Sequence, residues 1–364
     1  MSTALNRLRS LRIEGPPLRR AVDVVRWLVA SQAQDYAGAK WALGLRMRGA
    51  TDADVEKELT DGAILRTHVM RPTWHFVARE DIRWLLKLTA PRVHAAMASR
   101  YRQLELDART LRKATTAMQR ALEGGEHLTR EELRQVLGRA RIGALDGQRT
   151  AHILAHAELE ALICSGPRRG KQFTYALLDE RAPDARTLSR EDGLVELSSR
   201  YFASRGPATV QDFAKWSSLT VADARSGVEA IQAKLRREAM DGRTYWSARS
   251  ARPVRSGPSR AHLLSIYDEY ISSYRDRSII CEPAHAKRLG AMGTALAYVV
   301  VLDGRIAGTW SRTFEKQTVH VRVSPFRKLT RVERGAVAAA AERFTRFMGC
   351  EHRLDLIVRE RGPR

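Results

Sequence analysis

The sequence predicts an α+β protein, on three observations. A succession of short helices closed by a pair of extended segments recurs three times, and the stretch after residue 260 is rich in strand-forming runs. A hydrophobic content of 44% with seven tryptophans supplies packed cores rather than disorder. At about 100 to 200 residues per domain, the 364 residues hold two or three units.

The first unit, residues 1–95, shows helical apolar spacing at 21–30 (AVDVVRWLVA) and, after a break, again at 35–48. Residues 51–59 form a third helix, with Thr51 as N-cap and acids in the first turn, where the helix dipole favours them. Extended segments at 64–70 and 73–78 follow, turning at Arg71-Pro72. Three short helices and a hairpin are the order of a winged helix. The order returns in residues 96–187. An amphipathic helix spans 110–122, a capping box from Thr129 to Glu132 opens a second, a third covers 146–162, and Ile163-Cys164 pairs with 173–177. It returns again in 188–250, with helices at 190–203, 210–216 and 221–230, the last two capped by Thr209 and Thr220, and strands near 236–240 and 244–246. Residues 249–260 (RSARPVRSGPSR) read as a linker. The β-rich last part, 260–364, has strands at 295–302, 305–310 and 318–323, an Asp303-Gly304 hairpin turn, a helix at 331–348 and a strand at 354–358.

Lys and Arg outnumber Asp and Glu by 63 to 41, a net charge of +22. Such an excess releases counterions from many phosphates, although arginine-rich composition alone also yields basic chains. Position therefore decides. Arg168, Arg169 and Lys171 crowd one hairpin tip beyond a helix carrying Gln148, Arg149, His152 and His156. A DNA-binding winged helix holds phosphates and probes a groove with that pairing, and exposed charge on a turn is also ordinary solvated surface.

Other classes lose ground. No uncharged apolar stretch is long enough to span a membrane, so the chain reads as soluble and cytoplasmic. Cys164, Cys281 and Cys350 are scattered, without disulfide or zinc spacing. His152 and His156 lie four apart, but Ile153 stands where an HExxH base would be, so a helix-face or phosphate role is favoured over a metal. The chain has no GxxxxGK[ST], no strand-to-helix GxGxxG and no GxSxG, which removes most support for nucleotide-driven, dinucleotide-dependent and α/β-hydrolase chemistry.

Four places remain as candidates. Gln32 and Gln34 can share a task only if the backbone between them is extended, since on a helix they diverge; capping or facing solvent is the plainer use of two glutamines. Asp35 is the nearest carboxylate and equally an N-cap. His75 alternates with Trp74 and Phe76, the pattern of a buried, hydrogen-bonded histidine, with a cleft mouth as the other option. Asp268 and Glu269, among Tyr267, Tyr270, Tyr274, Arg275 and Asp276, form either a carboxylate site or a structural ion-pair network.

Together, Ser31-Gln-Ala-Gln34, Arg66 to Val77 (RTHVMRPTWHFV), Arg205 to Phe213 (RGPATVQDF), Tyr267 to Tyr270 with Tyr274 to Asp276, and Asp303 to Trp310 (DGRIAGTW) resemble, collinearly over nearly the whole chain, the AlkZ/YcaQ family of winged-helix DNA glycosylases. The resemblance implies a C-shaped monomer of three tandem winged helices with a β-rich C-terminal region, whose channel binds double-stranded DNA carrying N7-alkylated purines, antibiotic-made interstrand crosslinks included. Gln32-Ala33-Gln34 matches the Gln/Gln form of the catalytic motif, typical of the branch that protects antibiotic producers. It implies further that the hairpin over 310–318, with Arg312 and Lys316, probes the lesion, that His75 lies beside the glutamines, and that neither metal nor organic cofactor takes part. A non-catalytic winged-helix DNA-binding protein is the alternative, and a carboxylate-dependent hydrolase centred on Asp268 and Glu269 a more distant one.

Overall fold

The computed structural model describes residues 2–251, 259–291 and 297–356. It is mixed α and β throughout, as expected. Helices α1 (Thr3–Ser10) and α2 (Ala21–Leu28) lead into a short strand β1 (Ala30–Gln32), followed by α3 (Tyr36–Gly44), α4 (Asp52–Thr60), β2 (Ile64–His68) and β3 (Trp74–Ala78). The antiparallel sheet has the order β1-β3-β2. The helical pattern read over 21–30 thus stops early: Val29 adopts φ 66° and turns the chain out of α2 into β1. A β-branched side chain at positive φ is a strained choice, and Val29 is fully buried where it occurs.

A long helix α5 (Ile82–Gln103), with Pro91 inside it, carries the chain onward. The second group comprises α6 (Ala108–Leu122), β4 (Leu128–Thr129), α7 (Arg130–Arg139), α8 (Gly147–Leu159), β5 (Ile163–Ser165) and β6 (Thr174–Leu177), with sheet order β4-β6-β5 and a short α9 (Leu178–Arg181) behind it. The third comprises α10 (Arg190–Arg205), α11 (Val210–Ser217), α12 (Val221–Ala230) and the hairpin β7 (Leu235–Met240) and β8 (Arg243–Ala248). Most of the expected linker, residues 252–258, lies outside the described residues.

The C-terminal part builds a five-stranded sheet. Its elements are β9 (Ala261–Leu264), α13 (Glu269–Ser272), α14 (Pro283–Ala291), β10 (Val299–Leu302), β11 (Arg305–Glu315), β12 (Thr318–Pro325), α15 (Arg331–Met348) and β13 (Glu351–Leu356). The order is β13-β12-β11-β10-β9, parallel only between β12 and β13. Asp303 and Gly304 take φ 49° and 82°, the double positive-φ turn that Asp-Gly favours between β10 and β11. Of the expected strands, residues 295–296 and 357–358 lie outside the described residues.

The groups are bolted together by buried polar links. Arg7 of α1 donates Nε to Pro207 O at 2.9 Å and stacks 3.6 Å over Tyr274. Trp41 of α3 donates to Leu263 O at 2.7 Å. A Cβ on Gly44 would meet the Phe347 ring of α15 at 2.2 Å, so α3 approaches α15 through the missing side chain.

Candidate active site

The two glutamines lie where β1 runs out. Gln32 is in register with His75 of β3, and Ala33 N donates to Trp74 O at 2.7 Å, so the backbone is extended here rather than helical. Alternation sends Ala33 inward, fully buried, and leaves Gln34 exposed and Gln32 half-buried. The Gln32 side-chain oxygen Oε1 is buried with no hydrogen-bond partner among the described residues. A buried amide acceptor without a partner is uncommon, and it lies beside the exposed Gln34.

Two buried charges grip this strand. Glu269 Oε1 accepts from Gln32 N at 3.1 Å, while Arg205 Nη2 donates to Ala30 O at 3.2 Å and to Glu269 Oε2 at 2.7 Å. Trp216 Nε1 and Ser273 Oγ also donate to Glu269 Oε2, at 2.9 and 2.7 Å. Burial alone would raise the Glu269 carboxyl, but the Arg205 guanidinium, Arg71 and the Ser273 hydroxyl overcome it and hold the group down at about 2. The carboxylate is ionised and satisfied, so the backbone of β1 is fixed from both sides.

Cations and aromatic rings surround the segment. Arg66 donates Nε to Ala33 O at 3.1 Å, its guanidinium 4.3 Å from the Trp74 ring and 4.7 Å from that of Phe173 at the second group's hairpin. Tyr36 meets Phe76 and Phe173 edge-on, with Arg168 5.2 Å from its centre. Asp35 heads α3, yet its side chain makes no cap bond. Asp35 Oδ2 instead accepts a short hydrogen bond from the Tyr298 hydroxyl, which also receives Arg312 Nη2 at 3.0 Å. Burial, with the bond to Asp35, pushes Tyr298 up to about 12, so it remains a phenol and a donor. A Cβ on Gly38 would lie 2.5 Å from Asp35 Oδ2, so the carboxylate needs that glycine.

Not every expected site residue stands here as an open group. His75 does lie beside Gln32, but it is fully buried, Nδ1 facing Thr73 O at 2.9 Å and Nε2 facing Arg71 at 3.0 Å. Burial, then the charge of Arg71, lowers it to about 3, so it is neutral and structural. Asp268 is corrected as a site neighbour, because it is sealed against Arg46 in a two-pronged pair at 2.8 and 2.9 Å, both side chains fully buried. With Glu269 claimed by Arg205, the two carboxylates are separate buried ion pairs and no hydrolase centre. Arg149, expected on phosphate, donates to the carbonyls of Leu104, Glu105 and Ile142 and acts as an internal tie. Arg169 pairs with Glu132 at 2.7 Å and His127 O at 2.6 Å while remaining exposed, and Lys171, Phe314 and Lys316 are exposed at hairpin tips. Arg205 and Glu269 went unassigned to the motif, although each lies in a segment quoted above. Arg66, Tyr298 and Phe173 join it only through tertiary packing.

The profile of the family described as DNA glycosylase AlkZ-like matches residues 25–347. A curated relative from Streptomyces sahachiroi, named interstrand DNA cross-link repair glycosylase, is 24% identical over 342 residues, covering 90% of this chain and 91% of its own. The solved structure of the Streptomyces sahachiroi DNA glycosylase AlkZ superposes with a TM-score of 0.81 at 22% identity, covering 98% of this chain and all of its own. The chain belongs to the AlkZ-like family of DNA glycosylases.

Proposed function

We propose that the protein is a monofunctional glycosylase that hydrolyses the N-glycosidic bond of N7-alkylated, cationic purines in double-stranded DNA, acting as a cytoplasmic monomer without metal or organic cofactor in the reaction. The observation that carries the reading is the Gln32-Ala33-Gln34 segment, extended, braced from behind by Glu269 and Arg205, with a buried, unpartnered amide oxygen on Gln32 and an exposed Gln34 beside it.

Alkylation at N7 puts a positive charge on the base. As the bond to C1′ breaks, its electron pair neutralises the purine, which leaves without a general acid. The sugar becomes cationic, and Gln32 and Gln34 orient a water toward C1′ by their amide dipoles, a task of positioning more than proton transfer. The water's surplus proton passes to Asp35, whose carboxylate accepts from the Tyr298 hydroxyl, or to solvent.

The three helix-and-hairpin groups serve as winged helices over 1–95, 96–187 and 188–250, with Arg168, Arg169 and Lys171 on phosphates and the β11–β12 hairpin, bearing Arg312 and Lys316, against the lesion. The relative named for interstrand cross-link repair supports a bulky adduct or crosslink as the substrate, worked on in an open groove without conventional flipping. Duplex carrying N7-methylguanine tests the reaction. The wild type releases the base and leaves heat-labile abasic sites, and Gln34→Ala slows release on the order of 100-fold. Full release by Gln34→Ala overturns the water-holding role.

A further inference from the structure

We propose that His94, His156 and Glu160 form a zinc-binding site that staples α5 to α8. His94 lies on α5, His156 on α8, and Glu160 directly follows α8, so His156 and Glu160 are one turn apart on the side that meets α5. One ligand atom from each comes within 4.8 Å of the other two. The His94 and His156 rings are 5.1 Å apart. Zinc bonds of about 2.0 to 2.1 Å in tetrahedral geometry set ligand atoms roughly 3.4 Å apart, so closure needs shifts on the order of 1 Å. Glu160 is an exposed side chain that can make them.

The donor set suits the ion. His94 Nε2 lies 2.9 Å from Glu160 Oε1 without the alignment of a hydrogen bond, and it and His156 Nδ1 are both buried without hydrogen-bond partners. Buried ring nitrogens normally have a partner, and a cation between these groups supplies it. The second nitrogen of His94 is already placed: Nδ1 sits 3.3 Å from the Tyr101 hydroxyl, which donates onward to Met97 Sδ at 3.7 Å. That chain lets Nδ1–H donate to the Tyr101 oxygen and turns the Nε2 lone pair to the metal, the outer-shell support ligating histidines use. Two imidazoles and a carboxylate leave one position for water. The pair that spacing singled out, His152 with His156, is replaced: His152 Nδ1 faces Gln148 O at 2.8 Å within α8, and the second imidazole comes from α5.

The test uses the full-length protein, stripped with chelator, reloaded with Zn2+, desalted and assayed for metal, with Co2+ as the spectroscopic probe. Stoichiometric zinc and a tetrahedral Co2+ spectrum are expected for wild type and for His152→Gln, and neither for His156→Gln or Glu160→Gln. Tyr101→Phe weakens zinc affinity about 10-fold. Zinc raises the melting temperature of wild type and leaves that of Glu160→Gln unchanged, a variant whose exposed site keeps the fold intact. Substoichiometric zinc in wild type, or equal zinc in Glu160→Gln, overturns the proposal.

Discussion

Glu269 accepts from four donors, one of them the backbone of Gln32. Glu269→Gln leaves Arg205 buried without its counter-charge, which costs about 3 to 5 kcal/mol in denaturant unfolding, and base release falls with it because β1 loses its brace. His75 makes the fold sensitive to acid. Its folded value near 3 lies below the unfolded value of about 6.5, so the unfolded chain binds the extra proton between these limits. Its contribution is complete above pH 6.5 and is lost as pH falls toward 3, at about 1.4 kcal/mol per unit. Equilibrium unfolding from pH 7 to 4.5 is expected to show that slope, flattened in His75→Gln. At this scale the sequence was readable where one residue's neighbours in the chain decide its role, as for the alternation that buries His75. It was silent on which of two adjacent carboxylates would reach Gln32, because Asp268 and Glu269 part toward arginines more than 150 positions apart in the chain, Arg46 and Arg205.

Helix starts tell the same story one level up. Thr51, Thr129, Thr209 and Thr330 each close a capping box with the acid three residues on, local signals visible in the sequence. They differ in consequence. Thr129→Ala removes one cap, a loss of about 1 kcal/mol. Asp212→Ala also strips Arg275 N of its acceptor at 2.7 Å and leaves buried Arg7, 3.7 Å away, without its counter-charge, so its cost is about 3 to 5 kcal/mol. Thermal melts of the two variants rank them. Helix α5 escaped the sequence because other groups cover it on several sides, so Trp84, Leu85, Leu86 and Leu88 are all buried and no single apolar stripe remains, while Pro91 reads as a break. Strand β1 escaped because three residues make a strand only once β3 lies alongside.

Over the whole molecule, the net charge of +22 overstates what DNA can meet. Arg7, Arg46 and Arg205 are buried in internal bonds, and Arg149, Arg181 and Arg343 are bound to backbone carbonyls. If 6 to 10 phosphates are neutralised, duplex affinity drops about 10³ to 10⁵-fold between 50 and 200 mM salt. Lys171→Ala and Lys316→Ala are each expected to lower the salt slope by about 1 in binding titrations. The repeated order of elements was legible because each repeat is local. Their mutual placement was not, since it rests on long-range bonds such as Trp41 to Leu263 O.

That long-range bracing has a temporal side. A ribosome releases the glutamine pair early, when neither Arg205 nor Glu269 has yet been translated. The glutamines therefore emerge without the bonds that hold β1, and that bracing is complete only after synthesis has passed residue 269. A protease cut between the two halves of the brace leaves them joined by non-covalent bonds alone.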